Sequence, residues 1–307
     1  MRIIFMGTPD FAVPSLQRLI DRGYEICGVF TQPDKPKGRG HKLQPPPVKE
    51  LALKYHLPVY QPVSLREEAI QKEISRLSAD VIVVVAYGKI LPKEVLDAPA
   101  YGCINVHGSL LPQYRGAAPI QWMVINGEKT GGVTTMLLGD GPVDSGDILL
   151  KAEAEIGPEE TAGELFDRLK LLGADLLMET LELLERGTLE RIPQNHQEAT
   201  LAPMLKKEMS AIDWEQPAQK IHDLIRGLNP WPCAAATLHG KRLKLLASQV
   251  VEGDGRAGKV FCQSGELVVN CGQGALRIVE LQGENGKKMS GRDYLLGHPL
   301  EGEAFFD

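Results

Sequence analysis

Residues 81–119 read VIVVVAYGKILPKEVLDAPAYGCINVHGSLLPQYRGAAP. The run at 81–88 is apolar and β-branched without alternation, the pattern of a parallel strand buried on both faces. CINV at 103–106 reads as the next strand of the same sheet. Alternate side chains of a strand share a face, so Asn105 and His107 project together at its carboxyl end. Clefts at the carboxyl ends of parallel strands are where open α/β sheets bind ligands.

Upstream, IIFM, a helical pattern around Phe11–Arg22, EICGVF and a second helical pattern around Val48–Tyr55 alternate in turn. That alternation predicts an α/β fold with a doubly wound, mostly parallel sheet. The first turn, GTPDFAVP, lacks the G-x-G-x-x-G spacing, so no dinucleotide is inferred from it. Thr161–Gly187 has apolar residues at helical spacing, a Thr161/Glu164 capping box and a terminal glycine, and predicts a helix. Residues 188–208 carry Pro193 and Pro203 among polar residues, which suggests a bridge between domains.

Beyond the bridge, PAQKIHDLIRGL reads as a helix, and Ala234–Gln282 reads as five or so short strands separated by glycine-containing turns. A small C-terminal β-barrel of oligonucleotide-binding (OB) type fits that pattern. The expected layout is an N-terminal domain over 1–188, a linker over 189–207 and a barrel over 208–307. A chain of 307 residues is long enough for two such domains.

The net charge of −6 argues against a generally basic coat for nucleic acid. From Lys206 to Asp307 the charges balance, 13 against 13, so the excess of acid lies in the first 205 residues. Five cysteines without a C-x-x-C pair point to a reducing compartment and away from zinc. Cys103, inside an apolar strand, reads as packing. Met1 runs directly into RIIFM without a leader, and no apolar run reaches membrane-spanning length. A cytoplasmic monomer that requires no metal is expected.

The chemistry-bearing residues fall into three clusters. An asparagine amide donates hydrogen bonds without charge, and an imidazole can donate or remove a proton near neutrality. Together, Asn105 and His107 suit a carbonyl carbon under attack. The second cluster is GDGPVDSGD (139–147), a glycine-rich loop carrying Asp140, Asp144 and Asp147. A carboxylate beside His107 would hold the imidazole and favour its cation, the better acid for a leaving amine. Spacing does not decide which aspartate does so. The third, TQPDKPKGRGHKLQPPPVK (31–49), holds too much Pro and Gly for a helix and reads as an exposed loop. Lys35, Lys37, Arg39 and Lys42 make it a basic finger suited to phosphates.

The stretch N-V-H-G-S-L-L-P-x-x-R-G-A-A-P-I-Q (105–121), followed by D-S-G-D (144–147), resembles the signature of the folate-dependent formyltransferases. The likeness extends to GTPDFA, TQPDKPKGRG, MLKKEMSAIDW (204–214), NPWP (229–232) and GKKMS (286–290). The resemblance implies a formyltransferase domain with the catalytic roles on Asn105, His107 and Asp144. It also implies folate contacts along Ser109, Leu110, Leu111 and Pro112, and tRNA contacts from the basic loop, Arg39 above all, and from the barrel. The co-substrate implied is 10-formyltetrahydrofolate, and the acceptor implied is the α-amine of initiator methionyl-tRNA. The loop before D-S-G-D is one residue longer than the family pattern, with Ser145 where Thr or Ala is usual. Alignment on D-x-G-D favours Asp144 and leaves Asp140 a lesser candidate.

Overall fold

The computed structural model describes residues 1–37, 42–300 and 302–307. The chain divides into two compact units that interleave in sequence. The first comprises Met1–Gly116, Gly131–Ala154 and Phe166–Leu201, and the second Ala117–Thr130, Glu155–Leu165 and Ala202–Asp307.

The N-terminal elements run β1 (Arg2–Gly7), α1 (Val13–Asp21), β2 (Glu25–Phe30), β3 (Lys35–Lys37), β4 (Lys42–Gln44), α2 (Pro47–Lys54), β5 (Val59–Tyr60), α3 (Glu68–Arg76), β6 (Val81–Val85), α4 (Lys93–Leu96) and β7 (Cys103–His107). They continue with α5 (Pro119–Ile125), β8 (Thr130–Leu137), β9 (Ile148–Glu155) and α6 (Ala162–Glu185). Seven of the strands form one sheet in the order β5-β2-β1-β6-β7-β8-β9. Pairing is parallel from β5 through β7, and β8 runs antiparallel to β7. The sheet is therefore mostly parallel, as the β-branched runs predict.

Two-sided burial explains those runs. Ile3, Ile4, Phe5 and Met6 of β1 and the whole of β6 are buried, and each fully buried aliphatic side chain contributes roughly 1.5–3 kcal/mol. On β7, Val106 faces α6, where Gly173 admits the close approach: a Cβ there would come within 2.9 Å of the Val106 side chain. Cys103, Asn105 and His107 occupy the other face. The N-terminus of α6 carries the predicted capping box. The Thr161 hydroxyl accepts from the Glu164 N–H at 3.2 Å, and the Glu164 carboxylate accepts from the Thr161 N–H at 2.9 Å.

The basic stretch differs from an irregular loop. β3 and β4 pair antiparallel within it, matching Lys35 to Gln44 and Lys37 to Lys42. Proline bars a helix but not a short two-stranded ribbon, because Pro36 can sit at a ladder position that needs no donor.

The second unit adds α7 (Ala218–Gly227), β10 (Ala234–Leu238), β11 (Lys241–Val251), β12 (Lys259–Gln263), β13 (Glu266–Asn270), β14 (Ala275–Gly283), β15 (Lys288–Ser290), α8 (Gly291–Gly297) and β16 (Ala304–Phe305). Its sheet runs β10-β11-β14-β13-β12-β16 with antiparallel pairing throughout the registers of β10 to β14. β16 joins the free edge of β12, and the next residues, Phe306 and Asp307, pair with Leu238 and Thr237 of β10. The sheet thus nearly closes into the small barrel that the short strands predict, and closure removes exposed edges. Its core holds Leu243, Leu245, Val269, Leu276, Ile278 and Leu281, with Ile221 and Ile225 of α7 against them. Trp122 and Ile125 of α5 pack on the same core, which is why that early segment belongs to the second unit.

Candidate active site

β7 ends in the first unit with Asn105 half-buried and His107 buried, 6% of its side chain exposed. Beyond it, residues 108–116 return to the carboxyl end of β7, where the Tyr114 carbonyl meets His107. Thr134 of β8 pins this return: its hydroxyl donates to the Ser109 carbonyl at 2.7 Å and accepts from the Leu111 N–H at 3.1 Å. The Leu111 side chain anchors it further, buried with Met136 and Ile148.

Nε2 of His107 lies 2.9 Å from the carbonyl oxygen of Tyr114. A carbonyl can only accept, so Nε2 carries a proton and Nδ1 is the nitrogen left for exchange. Nδ1 lies 3.6 Å from Oδ2 of Asp144. That distance is too long for a hydrogen bond, and the contact is ionic only while Nδ1 also carries a proton. The same Oδ2 accepts the Gly116 N–H at 2.9 Å.

Asp144 reaches this place through a tight turn. The Pro142 carbonyl accepts from both the N–H and the hydroxyl of Ser145, at 3.2 and 2.7 Å, and Asp144 adopts φ of +54°. Aspartate tolerates that region better than most residues. Gly146 then passes directly over β8, where any Cβ would overlap the carbonyl oxygen of Leu137. Of the three aspartates in the loop, Asp144 is the one brought within 4 Å of His107 among the described residues. Asp140 is exposed, where its charge acts on Lys93.

The segment named for folate contact is mostly inward-facing. Ser109, Leu111 and Pro112 are buried, and the Ser109 hydroxyl donates to the Gln113 carbonyl at 2.7 Å. Leu110 is the one partly open to solvent. Cys103 has the character of packing: burial, with a smaller contribution from Asp97, pushes its thiol up to about 12.

Of the basic finger, Lys35 is exposed, and its ammonium donates to Gln32 Oε1 at 3.0 Å. The backbones of Lys37 and Lys42 face each other across β3 and β4. Arg39 lies outside the described residues. The base of the finger is fixed by a cluster that sequence reasoning did not single out. Lys49 donates to both oxygens of Asp34 and to Gln61 Oε1, and Gln61 donates in turn to Asp34. Those bonds, Lys49 first and Gln61 next, hold the Asp34 carboxyl below its usual range.

Sequence reasoning also missed Arg115 and Gln194, both buried to within 7% of full burial. Arg115 stands inside the quoted motif, so a signal existed. Gln194 follows a proline in a stretch without periodicity, and nothing local marked it.

The family profile described as "Formyl transferase" matches residues 1–181, and that described as "Formyl transferase, C-terminal domain" matches 204–299. The chain belongs to the formyl transferases, and among them to the methionyl-tRNA formyltransferases. A methionyl-tRNA formyltransferase of Alkaliphilus oremlandii (strain OhILAs) is 53% identical over 304 residues, 98% of each chain. Among solved structures, an N-formyltransferase from Helicobacter canadensis, in complex with folinic acid and dTDP-3-aminofucose, matches 94% of this chain and 99% of its own. Its TM-score is 0.71 at 17% identity. HypX from Aquifex aeolicus in complex with tetrahydrofolic acid matches the whole chain at a TM-score of 0.66 and 18% identity, and this chain spans about half its length, 50%. At such identities the two structures establish that the formyl transferase fold is shared.

Proposed function

We propose that this chain transfers the formyl group of 10-formyltetrahydrofolate to the α-amine of initiator methionyl-tRNA, giving N-formylmethionyl-tRNA and tetrahydrofolate. The observation that carries the chemistry is the meeting of His107 and Asp144, from two separate segments, at the strand end that bears Asn105. The end-to-end likeness to a methionyl-tRNA formyltransferase supports the acceptor.

The neutral amine attacks the formyl carbon and forms the new C–N bond. The resulting oxyanion is held by the Asn105 amide and by protonated His107. Nδ1, the nitrogen not spent on Tyr114, supplies the proton to N10 of the folate as the C–N10 bond breaks. The attacking amine loses its own proton through water to Asp144, which passes it on to Nδ1 and so restores the His107–Asp144 pair. Ser109, Leu110, Leu111 and Pro112 line the folate, chiefly through backbone edges and the Leu110 side chain.

For the acceptor, the finger carrying Lys35, Lys37, Arg39 and Lys42 meets tRNA phosphates. Residues 208–307 add a second contact. On the barrel, an open cavity of about 840 Å³ is lined by Lys207, Arg242 and Lys244 together with the acids Glu208, Glu284 and Asp307, beside Trp231, which is 51% exposed. With cations and acids balanced there, the exposed Trp231 is the feature that suits an unstacked base. In this layout the first unit does the chemistry, and because it runs on to Leu201 it takes in most of the stretch 189–207 expected as a link. Among the described residues no helix is long and apolar enough to cross a membrane. Its acceptor places the enzyme with the translation apparatus of the cytoplasm, working as a monomer.

The test is a formyl-transfer assay with 10-formyltetrahydrofolate and three acceptors: methionyl-tRNA, an amino sugar nucleotide and water. Turnover confined to methionyl-tRNA is expected. Preference for either other acceptor overturns the reading.

A further inference from the structure

Asp144 and His107 are tied together by a frame whose far side is the segment 194–200. The Gln194 carboxamide donates to the backbone carbonyls of Asp144 and Gly146, at 2.9 and 2.7 Å, clamping the D-S-G-D loop from both sides of Ser145. Its oxygen accepts two bonds from Arg115, from Nε at 3.1 Å and from Nη2 at 2.5 Å. Nη2 of Arg115 also lies 3.0 Å from Nδ1 of His196.

Arg115 stands between the two residues whose backbones hold the pair. Tyr114 gives its carbonyl to His107, and Gly116 gives its N–H to Asp144. Thr200 braces the same stretch from outside, its hydroxyl accepting the Tyr114 N–H at 2.8 Å and its carbonyl the Arg115 N–H at 2.9 Å. Tyr114 holds φ of +60°, which a free chain would leave readily. Gln194, Arg115 and Thr200 thus brace both partners of the Asp144–His107 contact from one side, in addition to the Pro142–Ser145 turn and the Thr134 bonds.

A buried guanidinium without a carboxylate is costly to keep. Among the described residues Arg115 forms no ion pair; its side-chain bonds go to Gln194 and His196. Such a group is justified where it fixes an orientation rather than adds stability.

We infer that Gln194, locked by Arg115, is a positioning residue for formyl transfer: it sets the height of the D-S-G-D loop so that Asp144 faces Nδ1 of His107. The inference rests on the function proposed above for His107 and Asp144. A side chain that touches no substrate acts on the rate through geometry, and a displacement of about 1 Å at a reacting group costs on the order of a hundredfold.

The experiment measures kcat and both KM values for Gln194→Ala, alone and combined with Asp144→Asn. Gln194→Ala should lower kcat by roughly tenfold to a hundredfold and leave both KM values within about twofold of wild type. In the Asp144→Asn background the same change should cost less than about twofold, because the group it positions is already gone. Undiminished kcat, or an equal loss in both backgrounds, overturns the inference. Where Gln194→Ala lacks a cooperative thermal transition, Gln194→Glu serves instead: it keeps the size and the acceptor for Arg115 but loses both N–H donors, and full activity there counts against the proposal.

A second readout does not depend on the acceptor. At fixed pH, the imidazole ¹⁵N resonances of His107 should move on Gln194→Ala in the direction that Asp144→Asn moves them. Unmoved resonances overturn the inference, whereas a wild-type enzyme inactive on methionyl-tRNA with coincident shifts overturns only the acceptor.

Discussion

Nε2 of His107 faces the Tyr114 carbonyl at 2.9 Å, so one imidazole nitrogen is permanently committed to the protein and the chemistry falls to the other. The commitment follows from the inventory of donors, since a backbone carbonyl offers no proton. It leaves Nδ1, 3.6 Å from Oδ2 of Asp144, as the nitrogen available for proton transfer.

From that arrangement, His107→Ala and Asn105→Ala should each lower kcat by on the order of a hundredfold or more, the usual cost of losing an oxyanion donor. The thermal midpoint should hold for Asn105→Ala, because its side chain is only half-buried and the mid-strand backbone pairing to Val84 and Met136 is unaffected by the change. Steady-state kinetics with saturating methionyl-tRNA check both. A rate within threefold of wild type for either variant removes that residue from the mechanism.

Gly146 gives a second, purely steric prediction. A Cβ at this position would overlap the Leu137 carbonyl on β8, and that backbone cannot swing away as a side chain could. Gly146→Ala should push the loop outward and carry Asp144 from His107, with a loss of kcat comparable to that of Asp144→Asn. Differential scanning calorimetry should show a fall in stability of roughly 1–3 kcal/mol, the range for overpacking. Normal kinetics for this variant would mean that the loop tolerates displacement.

Much of this was legible in the chain itself. The unalternating run at 81–85 announces a strand buried on both faces, and Asn105 and His107 two apart announce a shared face at its end. The barrel was readable from short strands and glycine turns, though not its closure through Phe306 and Asp307, because pairing between distant segments leaves no local period. For the same reason no spacing rule chose among Asp140, Asp144 and Asp147. The choice lies in the turn at Pro142–Ser145 and in the clamp from Gln194, both of which are tertiary. The antiparallel ribbon of β3 and β4 was hidden by its prolines, which disfavour a helix without specifying what replaces it.

Phosphate contacts make a binding equilibrium salt-dependent, with a slope in log affinity of about 0.7–0.9 per phosphate neutralised. KM for methionyl-tRNA should therefore climb steeply as potassium chloride is raised, and KM for 10-formyltetrahydrofolate should change little. Arg39→Ala should flatten that slope by about one and raise KM for the tRNA without altering the folate value. A tRNA KM indifferent to salt would sink the role of the basic finger.

Alkaline stability provides a prediction independent of substrate. Burial pushes the thiols of Cys103 and Cys271 and the phenol of Tyr87 each up to about 12. In the unfolded chain a thiol titrates near 8.5 and a phenol near 10. The folded state thus keeps protons that the unfolded state gives up, and stability must fall as pH rises. The contribution of Cys103 is whole below about pH 8.5 and is lost progressively up to about pH 12. Denaturant midpoints measured from pH 7 to 11 should decline across that window. Cys103→Ala should be less stable at pH 7, because it opens a cavity among Val95, Leu96 and the sheet, yet its decline with pH should be shallower. A parallel decline in the two proteins would show that the Cys103 thiol is not held protonated by the fold.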